Sequence, residues 1–359
     1  MRRLFVATLA MVAAVAFTPV HASANVKVSE AFQPGVQLQY WVLLDEDARY
    51  KVSGGEDQAF GFLMKRNRFS MKGKVADGMI GYKVNVEAAG SSLTLKDMFG
   101  QVNMGGGLSV RIGQYKPFTN QEAAASSKKL ANIERAMVVK ATAKAFYVNN
   151  NSFRDLGVQI TKKIKGVGKF MLHIGNGLGA AGDGRDVGGK NSKGDVTANA
   201  FGDVAIVFGV VLNPMKGLRI NASYGSNQHD NAVVGKDTKV SIDRTIYSVG
   251  GKFSMGKTGL WLEGEYINFQ SGSKDAAGEN EIKGYYVRAG FKATKQLEAL
   301  VRYESEEVGK TNAKETTGIA VGVNYYIHKL NKLQLEWYQK DPDGGDSYSA
   351  TRLAVQINI

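Results

Sequence analysis

The 359 residues contain no cysteine and only 5 prolines. An exported chain without cysteine is not a small disulfide-stapled ectodomain. Histidine is scarce as well, with 4 in all, of which 173, 229 and 328 are scattered along the chain. No Ser-His or Cys-His spacing and no metal-ligand cluster is visible, so the chain is not expected to be an enzyme or to need a cofactor or metal. Beyond the N-terminus no apolar run approaches the roughly 20 residues of a membrane-spanning helix. Sustained 3.6-residue periodicity is also missing.

Charge and glycine are abundant instead: 46 Lys+Arg stand against 33 Asp+Glu for a net +13, and glycine occurs 43 times. A basic exported protein suits anionic partners. Arg2 and Arg3, an apolar run over 4–17 and the small residues Ala22, Ser23 and Ala24 read as a signal peptide over 1–24. That leaves 25–359 as one folded domain. The lysine-rich stretch 161–169 falls at a turn, and nucleic acid is not an expected partner. The Gly-rich stretch 175–190 lacks the βαβ setting of a phosphate loop and reads as a surface loop.

Period-two alternation recurs from Val36 onward, giving about 16 segments near the 9–11 residues that cross a bilayer as tilted strands. Connections alternate in length. Short turns fall at 76–78, 105–107, 162–168, 213–216, 254–258, 293–295 and 328–331. Long loops fall at 45–59, 116–154, 176–201, 226–244, 269–281, 305–315 and 341–349. A soluble sandwich has no reason to sort its loops this way, whereas an outer-membrane barrel does. The expected fold is therefore all-β: a transmembrane antiparallel barrel of about 16 strands in the outer membrane of a Gram-negative bacterium, in contact with its lipid. Tyr40, Trp41, Trp261, Tyr266 and Trp337 are candidates for the interfacial aromatics.

In the stretch 65–75, KRNRFSMKGKV, Arg66, Arg68, Lys72 and Lys74 share one parity while Phe69, Met71 and Val75 take the other. A charge facing lipid costs roughly 2–4 kcal/mol at mid-membrane, so the cations are expected to line an aqueous lumen. Phe62 and Met64 have the parity of Arg66, which implies a bulge just upstream. The same test turns Lys83, Arg111, Arg219, Arg288 and Lys292 inward, and also Glu263, Glu265, Glu298, Glu304 and Glu336. Cations thus dominate early strands and acids later ones, an arrangement that could set a transverse field.

RIGQYKPF at 111–118, SSKKLANIERA at 126–136, RDLGVQI at 154–160 and the C-terminal EWYQKD and SATRLAVQINI resemble, in order, the phosphate-selective porin O and P family. The resemblance implies a homotrimer whose third extracellular loop, 116–154 here, folds inward as the constriction. It implies that Ser126, Ser127 and Arg135, with Asp97 on the wall, contact small anions such as phosphate. Ala123 to Ala125 occupy the place of the family's upstream lysine, which Lys128 and Lys129 could replace. The expected function is passive, anion-selective diffusion. A non-selective general porin, or a barrel that only anchors adhesive loops, stay open as alternatives.

Overall fold

A computed structural model describes residues 28–46, 61–89, 92–147, 153–177, 204–234, 238–275 and 278–359. The expected signal peptide and most of the expected loops at 45–59 and 176–201 lie outside these residues. The strands are β1 (Gln33–Glu46), β2 (Gly61–Val75), β3 (Ile80–Ala89), β4 (Ser92–Asn103), β5 (Leu108–Tyr115), β6 (Asp155–Ile164), β7 (Gly168–Gly175) and β8 (Val204–Met215). They continue as β9 (Leu218–Val234), β10 (Thr238–Ser254), β11 (Leu260–Ser271), β12 (Asn280–Lys292), β13 (Leu297–Val308), β14 (Lys314–His328), β15 (Asn331–Pro342) and β16 (Tyr348–Asn358). Each pairs antiparallel with the next, and β16 returns to β1, closing a barrel of 16 strands. Closure pairs the two strands that would otherwise be edges, as hydrocarbon requires.

The wall is two-faced. Along β13, Leu297, Ala299, Val301 and Tyr303 are exposed while Glu298, Leu300, Arg302 and Glu304 are buried. The same inversion of soluble-protein logic runs through β11, β12, β14 and β15. Apolar residues face outward because lipid is there, and polar ones turn to the interior.

Two bulges re-aim this pattern. Gln39 pairs with Arg66 but Tyr40 with Met64, so Lys65 is an extra residue in β2. Phe62, Met64 and Phe69 consequently all face outward, the upstream break expected from the sequence. In β4, Asn85 pairs with Asp97 but Val86 with Leu95, leaving Lys96 as the extra residue. Leu95 and Met98 therefore both stay exposed although Lys96 and Asp97 are buried between them.

Three expectations need correction. The loop expected at 226–244 is mostly strand, because β9 and β10 remain paired from Val234 and Thr238 downward. Polar alternation in a ribbon above the membrane carries no apolar signal, so the sequence reading stopped where the lipid face stops. Trp41 and Trp261 are not interfacial: both are buried on the interior face. Trp261 donates to Glu298 at 3.0 Å, and its ring occupies the space over Gly290, where a Cβ would lie 2.2 Å from it. Lys65 and Arg352 stand over the Trp41 ring, at 4.1 and 5.1 Å.

A short helix, α1 (Val28–Ala31), leans on the outer wall. The Tyr82 hydroxyl donates to Ala31 O at 2.7 Å, and only a glycine at 73 admits that carbonyl, since a Cβ there would meet it at 1.8 Å.

Candidate permeation pathway

Between β5 and β6 the chain makes two helices, α2 (Gln121–Ala124) and α3 (Met137–Phe146), with a 3₁₀ turn at Ser127–Lys129. Although it connects two strands, this segment is largely buried: Ala123, Ala136, Val138, Val139 and Phe146 have no exposure. They pack on Val207, Ile246, Ile267, Phe269 and Tyr286 from the interior faces of β8 and β10–β12.

The acids of the later strands hold the segment's backbone. Glu265 accepts from the amides of Gln121 at 2.7 Å and Glu122 at 3.4 Å. Glu336 accepts from Ile133 N at 3.2 Å and the Asn132 amide at 2.7 Å. Ala136, the N-cap of α3, has no side chain with which to cap, and Glu304 and Glu122 supply what is missing. They accept from Met137 N at 2.8 Å and Ala136 N at 2.9 Å, placing negative charge at the helix N-terminus. Arg288 bridges Glu122 and Glu263 at 2.7 and 2.9 Å, while Arg302 binds Glu134 O and Glu304 at 2.8 and 3.2 Å. Lys332 donates to Leu130 O, and Asn324 and Gln334 donate to Ala131 O. Of the acids that parity alone turned inward, Glu263, Glu265, Glu304 and Glu336 are therefore engaged by the segment and by buried arginines, while Glu298 accepts from Trp261, Asn324 and Tyr326 on the wall.

Opposite them lies a cavity of about 480 Å³ between β1–β5 and the segment. Seven cations line it, Arg68, Lys72, Lys83, Arg111, Lys116, Lys128 and Arg154, against one acidic side chain, Asp97, with Ile359 also in the lining. Asp97 is shared by Arg154 at 2.7 Å and Lys83 at 2.5 Å. Arg68 binds Glu87 at 2.5 Å and also donates to Ser127 Oγ at 2.9 Å. Among the described residues Lys72, Arg111, Lys116 and Lys128 have no carboxylate within ion-pair distance. Arg111 lies 4.2 Å over the Phe99 ring and donates to Gln101.

Crowding of like charge is visible in two lysines of the segment. Burial, reinforced by Lys83, Lys72 and Arg68, pushes the Lys128 ammonium below the ordinary lysine range. Burial, then Arg135, Arg154 and Arg68, does the same more strongly to Lys116, which donates to Ala123 O and Ala125 O at 2.9 and 3.2 Å.

The cavity gathers Arg68, Lys72, Asp97, Arg111, Ser126, Ser127 and Lys128 from the residues singled out in the sequence. It leaves four aside. Arg66 is spent on Gln39. Lys74 is exposed near the short turn after β2. Lys129 lines a neighbouring cavity of about 440 Å³, which shares Lys128 with the first, together with Lys292, Lys295 and Lys332. Arg135 is buried within the segment, donating to Glu122 O at 3.0 Å and Ala125 O at 2.8 Å. Sequence reasoning missed Lys116 and Arg154, which flank the segment where it leaves and rejoins the wall; strand parity says nothing of residues off the strands.

A family model, phosphate-selective porin O and P, matches residues 36–344. No curated protein matches the chain significantly. Among solved structures, an anion-selective porin from Comamonas acidovorans superposes with a TM-score of 0.69 at 14% identity, covering 92% of this chain and 99% of that one. OmpT of Vibrio cholerae in its trimer form gives 0.64 at 13% identity, with 92% and 99% covered. The channel DcaP of Acinetobacter baumannii gives 0.59 at 14%, with 94% and 99% covered. At such identities these likenesses concern the fold.

Proposed function

The chain belongs to the phosphate-selective porin O and P family and is an outer-membrane porin of a Gram-negative bacterium, not an enzyme; from that premise we propose that it conducts small anions passively, phosphate or related oxyanions foremost. The observation that carries this reading is the excess of seven cationic side chains over one acidic side chain around the cavity. Four of those cations, Lys72, Arg111, Lys116 and Lys128, have no acidic partner within ion-pair distance among the described residues, so they raise local anion concentration and can replace part of an anion's hydration shell by charge-assisted hydrogen bonds. Several modest contacts in series favour conduction, since an anion must also leave each one.

In this reading segment 116–154 is the inward-folded third extracellular loop that narrows the pore, and the acids beneath it serve attachment. The anion meets Arg68, Lys72, Arg111, Ser126, Ser127 and Lys128, with Asp97 tuning Lys83 and Arg154. Residues 1–24 are removed on export and 25–359 form the barrel. Three copies assemble, as the trimer form named for OmpT suggests by analogy. The deciding measurement is the zero-current potential in a KCl gradient, followed by phosphate titration of the chloride current. Preference for Cl⁻ and saturable block by phosphate are expected. Preference for K⁺ would overturn the anion reading, and anion preference without phosphate block would leave a general anion porin.

A further inference from the structure

His173 is buried on the interior face of β7, and both of its ring nitrogens are engaged. Nδ1 lies 2.7 Å from the Tyr115 hydroxyl and Nε2 3.1 Å from Asp155 Oδ2. In the neutral ring, the tautomer that satisfies both partners carries its hydrogen on Nε2, which donates to the carboxylate, while Nδ1 accepts from Tyr115. Tyr115 and Asp155 are buried as well, and Asp155 Oδ2 also accepts from Gly177 N at 3.0 Å. The imidazole meets the Tyr115 ring edge-on at 5.4 Å between centroids. At Gly175 a Cβ would stand 2.4 Å from both His173 Nε2 and Asp155 Oδ2, so a glycine leaves that bond its room.

The partners of this histidine stand at the cavity. Tyr115 ends β5 and Asp155 begins β6, and the two pair across the sheet where segment 116–154 leaves and rejoins the wall. Their neighbours in the chain, Lys116 and Arg154, both line the cavity, and so does Tyr115 itself. Arg111 lies 4.2 Å over the Phe99 ring and 5.3 Å over the Tyr115 ring, and those two rings meet edge-on at 6.1 Å. Besides the rings Arg111 has Gln101, to which it donates from Nε at 3.2 Å and Nη2 at 2.9 Å. A guanidinium held by ring faces and one amide follows its rings when they turn. Apolar side chains at 115, 155 and 173 would serve burial alone; hydrogen bonds add direction, since each is good only over a narrow range of angles.

We propose that His173 is a positioning residue of the anion pathway: through Tyr115 it fixes the ring platform under Arg111, and through Asp155 it locks the returning stem of the segment beside Arg154. The proposal rests on the anion-pathway reading above and adds to it a residue that is outside the cavity lining. Loss of the two bonds frees the Tyr115 ring to turn and Arg111 to draw back with it, while the charge of Arg111 is unchanged.

Reversal potentials in a KCl gradient near ~0.01 M compare the wild type, His173→Phe, Arg111→Gln and the double variant. Phenylalanine keeps a ring at 173 and loses both bonds. Removing a unit charge ~7 Å from the ion lowers the Cl⁻/K⁺ ratio about 5-fold at that salt, and withdrawing it by ~3 Å lowers the ratio about 2-fold. Arg111→Gln should therefore cost about 5-fold, His173→Phe about 2-fold, and the double variant no more than Arg111→Gln alone. A ratio unmoved by His173→Phe in an inserted barrel, whatever its melting temperature, would overturn the proposal. So would an Arg111→Gln without effect, or an equal fall on adding His173→Phe to Arg111→Gln. If His173→Phe does not insert, Tyr115→Phe, which removes only the hydroxyl, takes its place in the same cycle with the same outcomes. A wild type that prefers K⁺ would refute the anion reading, yet the cycle would still report on His173, because it measures changes in the ratio and not which ion is preferred.

Discussion

Replacing Lys72 and Lys128 together by Gln isolates the electrostatic part of selectivity, because one comes from the wall and the other from the segment and neither leaves an acid unpaired. A sphere of the cavity's volume, about 480 Å³, has a radius of ~5 Å, which puts each ammonium ~7 Å from a centred ion. One unit charge at that distance in water-like dielectric contributes ~0.6 kcal/mol before screening. With a Debye length of ~8 Å at 0.15 M this falls to ~0.25 kcal/mol, about 1.5-fold in ion concentration; at 0.01 M and ~30 Å it is ~0.5 kcal/mol, about 2.2-fold. An anion gains that factor and a cation loses it, so the permeability ratio moves by its square for each lysine. The double variant should lower the Cl⁻/K⁺ ratio about 5-fold at 0.15 M and roughly 20-fold at 0.01 M. Reversal potentials at the two ionic strengths measure both values, and the heat-modified gel shift should be unchanged, since relieving like-charge crowding costs the fold nothing. A ratio that does not move, or moves equally at both salt concentrations, would refute the view that these two ammonium groups act on the ion through space.

Raising the pH should erode anion preference before an exposed lysine would titrate, because the depressed Lys116 and Lys128 lose their protons first; a reversal potential flat up to the ordinary lysine range would contradict this. Glu304→Ala and Glu336→Ala each remove carboxylate acceptors for the segment's amides, at about 1.5–3 kcal/mol per charge-assisted bond, so single-channel current noise and mean conductance should rise. Deleting residues 120–132 should raise conductance further, and an unchanged value in a folded variant would place the segment outside the ion path. Gly73→Val should expel Ala31 and free the Tyr82 hydroxyl, lowering the melting temperature slightly while conductance stays the same.

Period-two alternation made the barrel legible, since lipid on one side and polar interior on the other write the same signal into every crossing strand. It fails where that contrast ends. The upper halves of β9 and β10 are strands without an apolar face, and they read as loop. Trp41 and Trp261 follow interior parity, yet their side-chain type suggested the membrane surface; parity was the sounder guide. Interior carboxylates such as Glu265 and Glu336 were placed on the correct face, but their partners are backbone amides of a helical segment far away in sequence, and no local pattern encodes that pairing. Arg135 looked like an ion contact from its neighbourhood in the motif, whereas its guanidinium is turned onto carbonyls of its own segment. A missing cap at Ala136 was the one readable hint that acids from elsewhere must reach α3.

The docking of that segment also dictates an order of assembly. Its receptors on β11–β15 lie 142 residues away for Gln121 with Glu263 and 204 for Asn132 with Glu336. Contacts that close such long spans form late, after shorter strand pairings have paid down the chain entropy. Until β15 has joined the wall, Glu336 has no fixed place from which to hold Asn132 and Ile133. Closing the cylinder joins Gln37 to Asn358, a longer span still, so by the same reasoning the segment can dock on β11–β15 before β16 meets β1. Without that docking the same chain would be a wider hole with acids on one side and bases on the other, and the segment that covers those acids is built into the wall as the wall forms.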